Sequence, residues 1–125
     1  MKQIIKSKNA PEPIGPYSQA VKINGILFIS GQIAINPSDG NMVTSDIVLE
    51  TKQVMNNLNA ILLEAGMNFS NVVKSTIFVK DLNNFAAINK VYGEFFAENP
   101  PARETVEVSR LPKDANVEIS CIAIQ

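Results

Sequence analysis

The sequence holds no histidine, and imidazole is both the commonest base at neutral pH and the commonest ligand for transition metals. Hydrolases whose serine or cysteine depends on a histidine are therefore excluded. A single cysteine, Cys121, leaves no partner for an intrachain disulfide and too few ligands for a Cys₄ or Cys/His zinc site. Such a chain suits a reducing interior. Charge is scarce at 18%, and 11 Lys+Arg stand against 12 Asp+Glu for a net charge of -1 with no basic run. The electrostatic footprint of a phosphate-backbone binder is missing, and nucleic acid is disfavoured as a partner. No apolar run approaches the roughly 18 residues of a membrane span. The first residues, MKQIIKSK, place only Ile4 and Ile5 side by side with no apolar stretch behind them. A soluble cytoplasmic protein is expected. No Gly-rich phosphate loop occurs, so nucleotide cofactors have no support.

What is present is enough apolar material, 46% of 125 residues, to offset chain entropy in one globular domain spanning residues 1–125. A short Ile4-Ile5 segment precedes a stiff loop, Pro11 to Pro16 (PEPIGP). Ala20 to Ile23 and Ile26 to Ile29 flank Asn24-Gly25, the signal for a type I′ hairpin. Asn36 to Gly40 reads as a turn. Thr44-Ser45-Asp46 offers N-caps for a helix ending near Ala65 and Gly66. Within that helix Ile47, Val54, Leu58, Ile61 and Ala65 form an apolar stripe, with Glu50, Lys52, Asn57 and Glu64 as the polar remainder. Val72 to Lys80 reads as a strand. A second helix begins near Asn83 or Asn84, shows Phe85, Ile88, Tyr92 and Phe95 to the core, and cannot pass Pro100-Pro101. Strands over Arg103 to Ser109 and Val117 to Ile124 complete the order ββαβαββ. The fold class expected is α+β, a single mixed sheet with two helices on one face. Ile26 and Phe28 alternate with Leu27 and Ile29, and Ile122 and Ile124 with Ile119, Cys121 and Ala123, so both faces of the strands are apolar. The helix-free face is expected to pack on another subunit.

Few residues are candidates for chemistry. Of the two arginines, Arg103 and Arg110, Arg103 leaves a stiff Pro100-Pro101-Ala102 segment. It reads either as a bidentate grip for a small carboxylate or as a surface partner of Glu104 or Glu107. Glu118 shares a strand face with Ser120, Ile122 and Ile124. It is either a half-buried general acid and base acting on water or an edge carboxylate in solvent. Tyr17, Ser30 and Gly31 sit at turn and strand-exit positions where a ligand could approach the backbone, or where turn packing alone operates. Cys121 reads as a core thiol.

Several motifs in order then carry a resemblance: Ala10-Pro11 with Ile14-Gly15-Pro16-Tyr17, Ser30-Gly31-Gln32, Val79-Lys80-Asp81-Leu82, Pro101-Ala102-Arg103 with Val106-Glu107-Val108, and Leu111-Pro112. Together they resemble the reactive intermediate/imine deaminase family (Rid, YjgF-like) over nearly the whole chain. That resemblance implies a chorismate-mutase-like fold, a cytosolic homotrimer with sites between subunits, and cofactor-free hydrolysis of enamine/imine acids such as 2-aminoacrylate and 2-iminobutanoate to 2-oxo acids and ammonia. It implies that Arg103 holds the substrate carboxylate, that Glu118 positions the attacking water, and that Tyr17, Ser30, Gly31 and Asn89 line the pocket. Thr105 stands at a lining position that is often cysteine. The loop Glu98-Asn99-Pro100 is short and lacks an aromatic residue common in the family, which bears on substrate size. A metabolite-binding or chaperone-like protein without turnover is the competing reading from another class, and an endoribonuclease is a third, opposed by the charge and the absent histidine.

Overall fold

The computed structural model describes residues 1–125. Its strands are β1 (Gln3–Ile5), β2 (Ala20–Ile23), β3 (Ile26–Gln32), β4 (Val72–Val79), β5 (Ala102–Glu107) and β6 (Val117–Ile124), with helices α1 (Ile47–Glu64) and α2 (Phe85–Glu94). One sheet orders them β1-β2-β3-β6-β4-β5. All neighbours are antiparallel except β4 and β5, which the α2 crossover makes parallel. The expected mixed sheet with two helices is the fold observed.

Local chemistry sets most boundaries. Asn24 (φ 50°) and Gly25 (φ 77°) take the two left-handed positions that a type I′ turn demands. Asp46 caps α1 by accepting from the Leu49 N–H at 2.8 Å, and Gly66 at φ 75° follows its end. β5 begins one residue earlier than the expected Arg103 and stops at Glu107 rather than Ser109.

α1 packs across β3 and β6 and against α2, burying Val54, Leu58, Ile61 and Leu62 completely. Two of the polar residues expected on its outer face are instead fully enclosed. Glu50 accepts from the backbone and side-chain N–H groups of Asn116 at 2.8 Å, and Asn57 donates to the carbonyls of Ile33 and Ile35. Both tie loop segments to the helix, and partnered polar groups can be buried at little net cost. Periodicity could not identify them, because the partners come from distant parts of the chain. Phe85 also departs from expectation: it is exposed rather than part of the core face of α2, which consists of Ile88, Val91 and Tyr92.

The helix side of β6 carries Val117, Ile119, Cys121 and Ala123, all buried, while Glu118, Ser120, Ile122 and Ile124 face the other way. Across the open face Ile4, Val21, Phe28 and Ile122 stand in one row of paired residues. Phe28 and Ile124 remain 46% and 45% exposed. A single chain thus leaves an apolar band uncovered. No helix is long and apolar enough to cross a membrane.

Cys121 is enclosed by the core, and burial pushes its thiol up to about 11, so it is a neutral thiol at pH 7. Its sulfur lies 3.5 Å from the Ser75 hydroxyl. Cys121→Ser should lower unfolding free energy by about 1 kcal/mol or more, since a hydroxyl replaces a small buried hydrophobe, and leave turnover within a few-fold. Chemical denaturation and an activity assay on the same preparation check this; an inactive but fully folded variant would give the thiol a chemical role.

Candidate active site

The register of β3 against β6 changes between Ile29, paired with Cys121, and Gln32, paired with Ile119. Three steps on one strand match two on the other, so Ser30-Gly31 forms a β-bulge. Ser30 is held there by its hydroxyl, which donates to the Ser18 carbonyl at 2.6 Å, and by its N–H to the Gln19 carbonyl. Gly31 lies against Glu118. A Cβ added at Gly31 would stand 2.8 Å from Glu118 Cδ and closer still to Oε2, so the absence of a side chain makes room for the carboxylate rather than directly for a ligand. An open cleft of about 370 Å³ meets this point, walled by Pro11, Ile14, Tyr17, Ser30, Gly31 and Glu118 among others.

Glu118 is half-buried, and burial alone raises its carboxyl above the usual carboxylate range, with no hydrogen bond or cation from the chain to oppose the shift. It is therefore not a solvated edge carboxylate: β6 lies inside the sheet between β3 and β4. A methyl at Gly31 meets only the end of the flexible Glu118 side chain, which can swing aside, so Gly31→Ala should change stability little while displacing the carboxylate from its half-buried place. The Glu118 carboxyl should then titrate closer to an ordinary carboxylate. Urea unfolding and an NMR titration of Glu118 measure the two, and a Glu118 titration unchanged in Gly31→Ala would disprove the close approach.

The Pro-rich wall of the cleft is pinned by Gln19, a residue with no signal in the sequence pattern. Gln19, buried, accepts from the Ser7 N–H at 2.6 Å and donates toward the carbonyls of Ser7, Ala10 and Pro11. Its amide supplies donors and acceptors that a proline-interrupted segment cannot obtain from a ladder. Tyr17, next to it, is 48% exposed at the cleft, and its hydroxyl accepts from the Ile14 N–H.

Arg103 is elsewhere. In β5 it pairs with Ser75 of β4, a residue buried under the helices, so its side chain rises from the helix side of the sheet. Glu118 projects from the opposite face. Both surface partners considered for Arg103 are otherwise engaged: Glu104, on the open face, binds Lys74 at 2.8 Å and the Thr76 hydroxyl, and Glu107 accepts from the Leu82 N–H. None of the three ion pairs includes Arg103. Its guanidinium carbon instead lies 5.0 Å from the ring centre of Tyr92 and 5.7 Å from that of Phe85. Asn89, half-buried, occupies the same stripe of α2 at i, i+4, i+7 with these two rings. Thr105, two residues along β5, holds a buried Oγ1 with no hydrogen-bond partner. The chain thus carries two groups of candidate residues, Tyr17, Ser30, Gly31 and Glu118 at the cleft and Asn89, Arg103 and Thr105 on the helix side, and it does not bring them together.

The family model for endoribonuclease L-PSP matches residues 7–125. This chain belongs to that family, the Rid or YjgF-like proteins. A RutC family protein of Pyrococcus horikoshii is 54% identical over 98% of both chains. Among solved structures, a Rid family protein of Yersinia pestis superposes with a TM-score of 0.97 at 51% identity over the full length of both. TdcF of E. coli, solved with bound serine, gives 0.95 at 40% identity over 98% of each chain. Rid membership agrees with the motif resemblance and with the observed fold.

Proposed function

We propose that this Rid protein is an imine deaminase, hydrolysing small 2-imino acids and their enamine tautomers, such as 2-aminoacrylate/2-iminopropanoate and 2-iminobutanoate, to 2-oxo acids and ammonia in a homotrimer. The observation that carries this reading is the separation of an unpaired guanidinium and a half-buried carboxylate of raised pKa onto opposite sides of one sheet. Each lies in an incomplete half-site. The uncovered apolar band of Phe28, Ile122 and Ile124 invites a second copy, and a copy seated there would present its β5 edge, with Arg103, to the cleft that holds Glu118. The serine bound in E. coli TdcF is a small carboxylate-bearing molecule, of the chemical class proposed for the substrate.

The chemistry needs only these groups. The free N–H edge of Arg103 grips the substrate carboxylate with two parallel hydrogen bonds. Water adds to the imine carbon while Glu118 takes its proton and passes it to the imine nitrogen, giving the carbinolamine; Glu118 then takes the hydroxyl proton and delivers it to the amine, so that C=O forms as ammonia leaves. The C–O bond forms, the C–N bond breaks, and no electrons are gained or lost. Thr105 and Asn89, beside Arg103, and Tyr17 and Ser30, beside Glu118, complete the walls. Such imines already hydrolyse in water, so the acceleration required is modest.

The test is intersubunit complementation. Arg103→Ala and Glu118→Gln proteins, each inactive toward imine generated by a serine or threonine dehydratase, are mixed, dissociated and reassembled. In randomly mixed trimers about one-quarter of the sites receive both native groups, and activity should return to that fraction. No recovery in mixed trimers verified by light scattering and mass spectrometry refutes the shared site, and failure of the wild type to release ammonia refutes the deaminase reading in favour of binding without turnover.

A further inference from the structure

A cation that must seize a ligand carboxylate faces conflicting demands: it has to be held still, yet not by a protein carboxylate that would occupy its donors. Arg103 is held in a way that meets both. It has no ion-pair partner, and the rings of Phe85 and Tyr92 both lie within the roughly 6 Å over which a π-face attracts a cation. The two rings stand two turns apart on α2, so they meet the guanidinium together from the helix side. One of them is itself fixed. Tyr92 is 5% exposed, and its hydroxyl donates to Ser75 Oγ at 2.9 Å, which contacts Cys121 Sγ. Ser75 is also the residue paired with Arg103 across β4 and β5. The ring, the strand and the arginine backbone therefore share one buried anchor. Phe85 is the exposed counterpart, at 39%, an aromatic ring left in water where burial of apolar area would not place it.

We propose that Phe85 and Tyr92 are positioning residues for Arg103, holding its guanidinium by its π-faces so that its in-plane N–H edge stays free for the carboxylate of the incoming substrate. This rests on the carboxylate-gripping role given to Arg103 in the proposed reaction. Aromatic contact leaves the charge uncompensated and the donors vacant, whereas a Glu or Asp at either position would neutralise the first and fill the second.

Phe85 is the residue to test, since its exposure allows substitution without loss of the core. In the assembled wild-type protein and in Phe85→Leu, Phe85→Tyr and Tyr92→Phe, two quantities are read: the affinity for 2-oxobutanoate by calorimetry, and the Arg103 Nε–H resonance by NMR without ligand, assigned by its loss in Arg103→Lys. Phe85→Leu should weaken binding about tenfold, the scale of one cation–π contact, and should shift and broaden the Arg103 signal. Phe85→Tyr should restore both. Tyr92→Phe, which keeps the ring but frees it from Ser75, should give a smaller change of the same kind. A Phe85→Leu protein with an unmoved Arg103 resonance overturns the proposal, as does a loss of affinity that Phe85→Tyr fails to rescue. If the wild type binds no 2-oxo acid, the gripping role of Arg103 fails, while the resonance still decides whether the rings hold the guanidinium.

Discussion

Replacing Arg103 with lysine should cost nearly as much as replacing it with alanine, a fall in kcat/KM on the order of 100-fold or more, close to 3 kcal/mol. The reason is geometric. An ammonium keeps the positive charge but cannot offer two parallel N–H bonds to a carboxylate, and it cannot present a planar face to the rings of Tyr92 and Phe85. Because Arg103 makes no ion pair within the chain, its removal leaves no protein charge stranded, so stability should change by less than activity. Calorimetric titration with 2-oxobutanoate and a dehydratase-coupled assay measure the two losses on the same preparations. An Arg103→Ala protein that binds the oxo acid as the wild type does would remove Arg103 from the site.

Glu118→Gln should produce a defect of another kind, with 2-oxo acid affinity largely retained and turnover reduced about 100-fold or more, since the amide keeps the size of the side chain and loses the proton acceptor. The pH profile follows from the cause of the shift. Burial raises the Glu118 carboxyl above its ordinary value, and the ionised form is the base, so turnover should rise with pH through a range above that of an ordinary carboxylate. The same shift works against stability. A carboxyl whose folded pKa exceeds its unfolded value favours the folded state in acid, and that contribution is lost as pH rises from the unfolded value through the folded one. Glu118→Gln should therefore melt higher than the wild type at pH 7 and show no advantage at pH 3. Wild-type turnover in Glu118→Gln would remove the proton-transfer role, and an unchanged melting temperature at pH 7 would show that the carboxylate is not strained by burial.

Stability surrendered at a half-buried acid and an uncovered apolar face is easier to understand if the chain is one part of a larger site. Neither the cleft nor the Arg103 surface is complete by itself. The cleft has a base and apolar walls but no cation, and the helix side has a cation, a partially buried amide in Asn89 and an orphaned hydroxyl in Thr105. In the proposed homotrimer both deficits would be filled by the same operation, a neighbouring copy rotated onto the open face. A light-scattering dilution series bears directly on it: a stable monomer at micromolar concentration would leave Phe28 and Ile124 without cover.

Local patterns in the sequence determined the elements, because their causes lie within a few residues. Asn24-Gly25 sets the hairpin, Asp46 and Gly66 bound α1, and Pro100-Pro101 stop α2. Alternation along β6 placed Cys121 on the core side and Glu118 on the open one. The linked motifs identified the Rid family and singled out Arg103, Glu118, Tyr17, Ser30, Gly31, Asn89 and Thr105. What those residues do to one another was decided by tertiary structure. Strand alternation turns Arg103 away from Glu104, but that it meets an aromatic ring depends on the register of β5 against β4, which pairs it with Ser75 beneath Tyr92. Glu50 and Asn57 look like surface residues in the helical period and are buried because Asn116 and the Ile33 and Ile35 carbonyls arrive from far along the chain. The β3 bulge that sets Gly31 against Glu118 likewise has no signature beyond the glycine. Periodicity reports which face a side chain occupies; long-range register alone fixes what stands opposite it, which is why the neighbours of Arg103 and Glu118 were legible only in the tertiary structure.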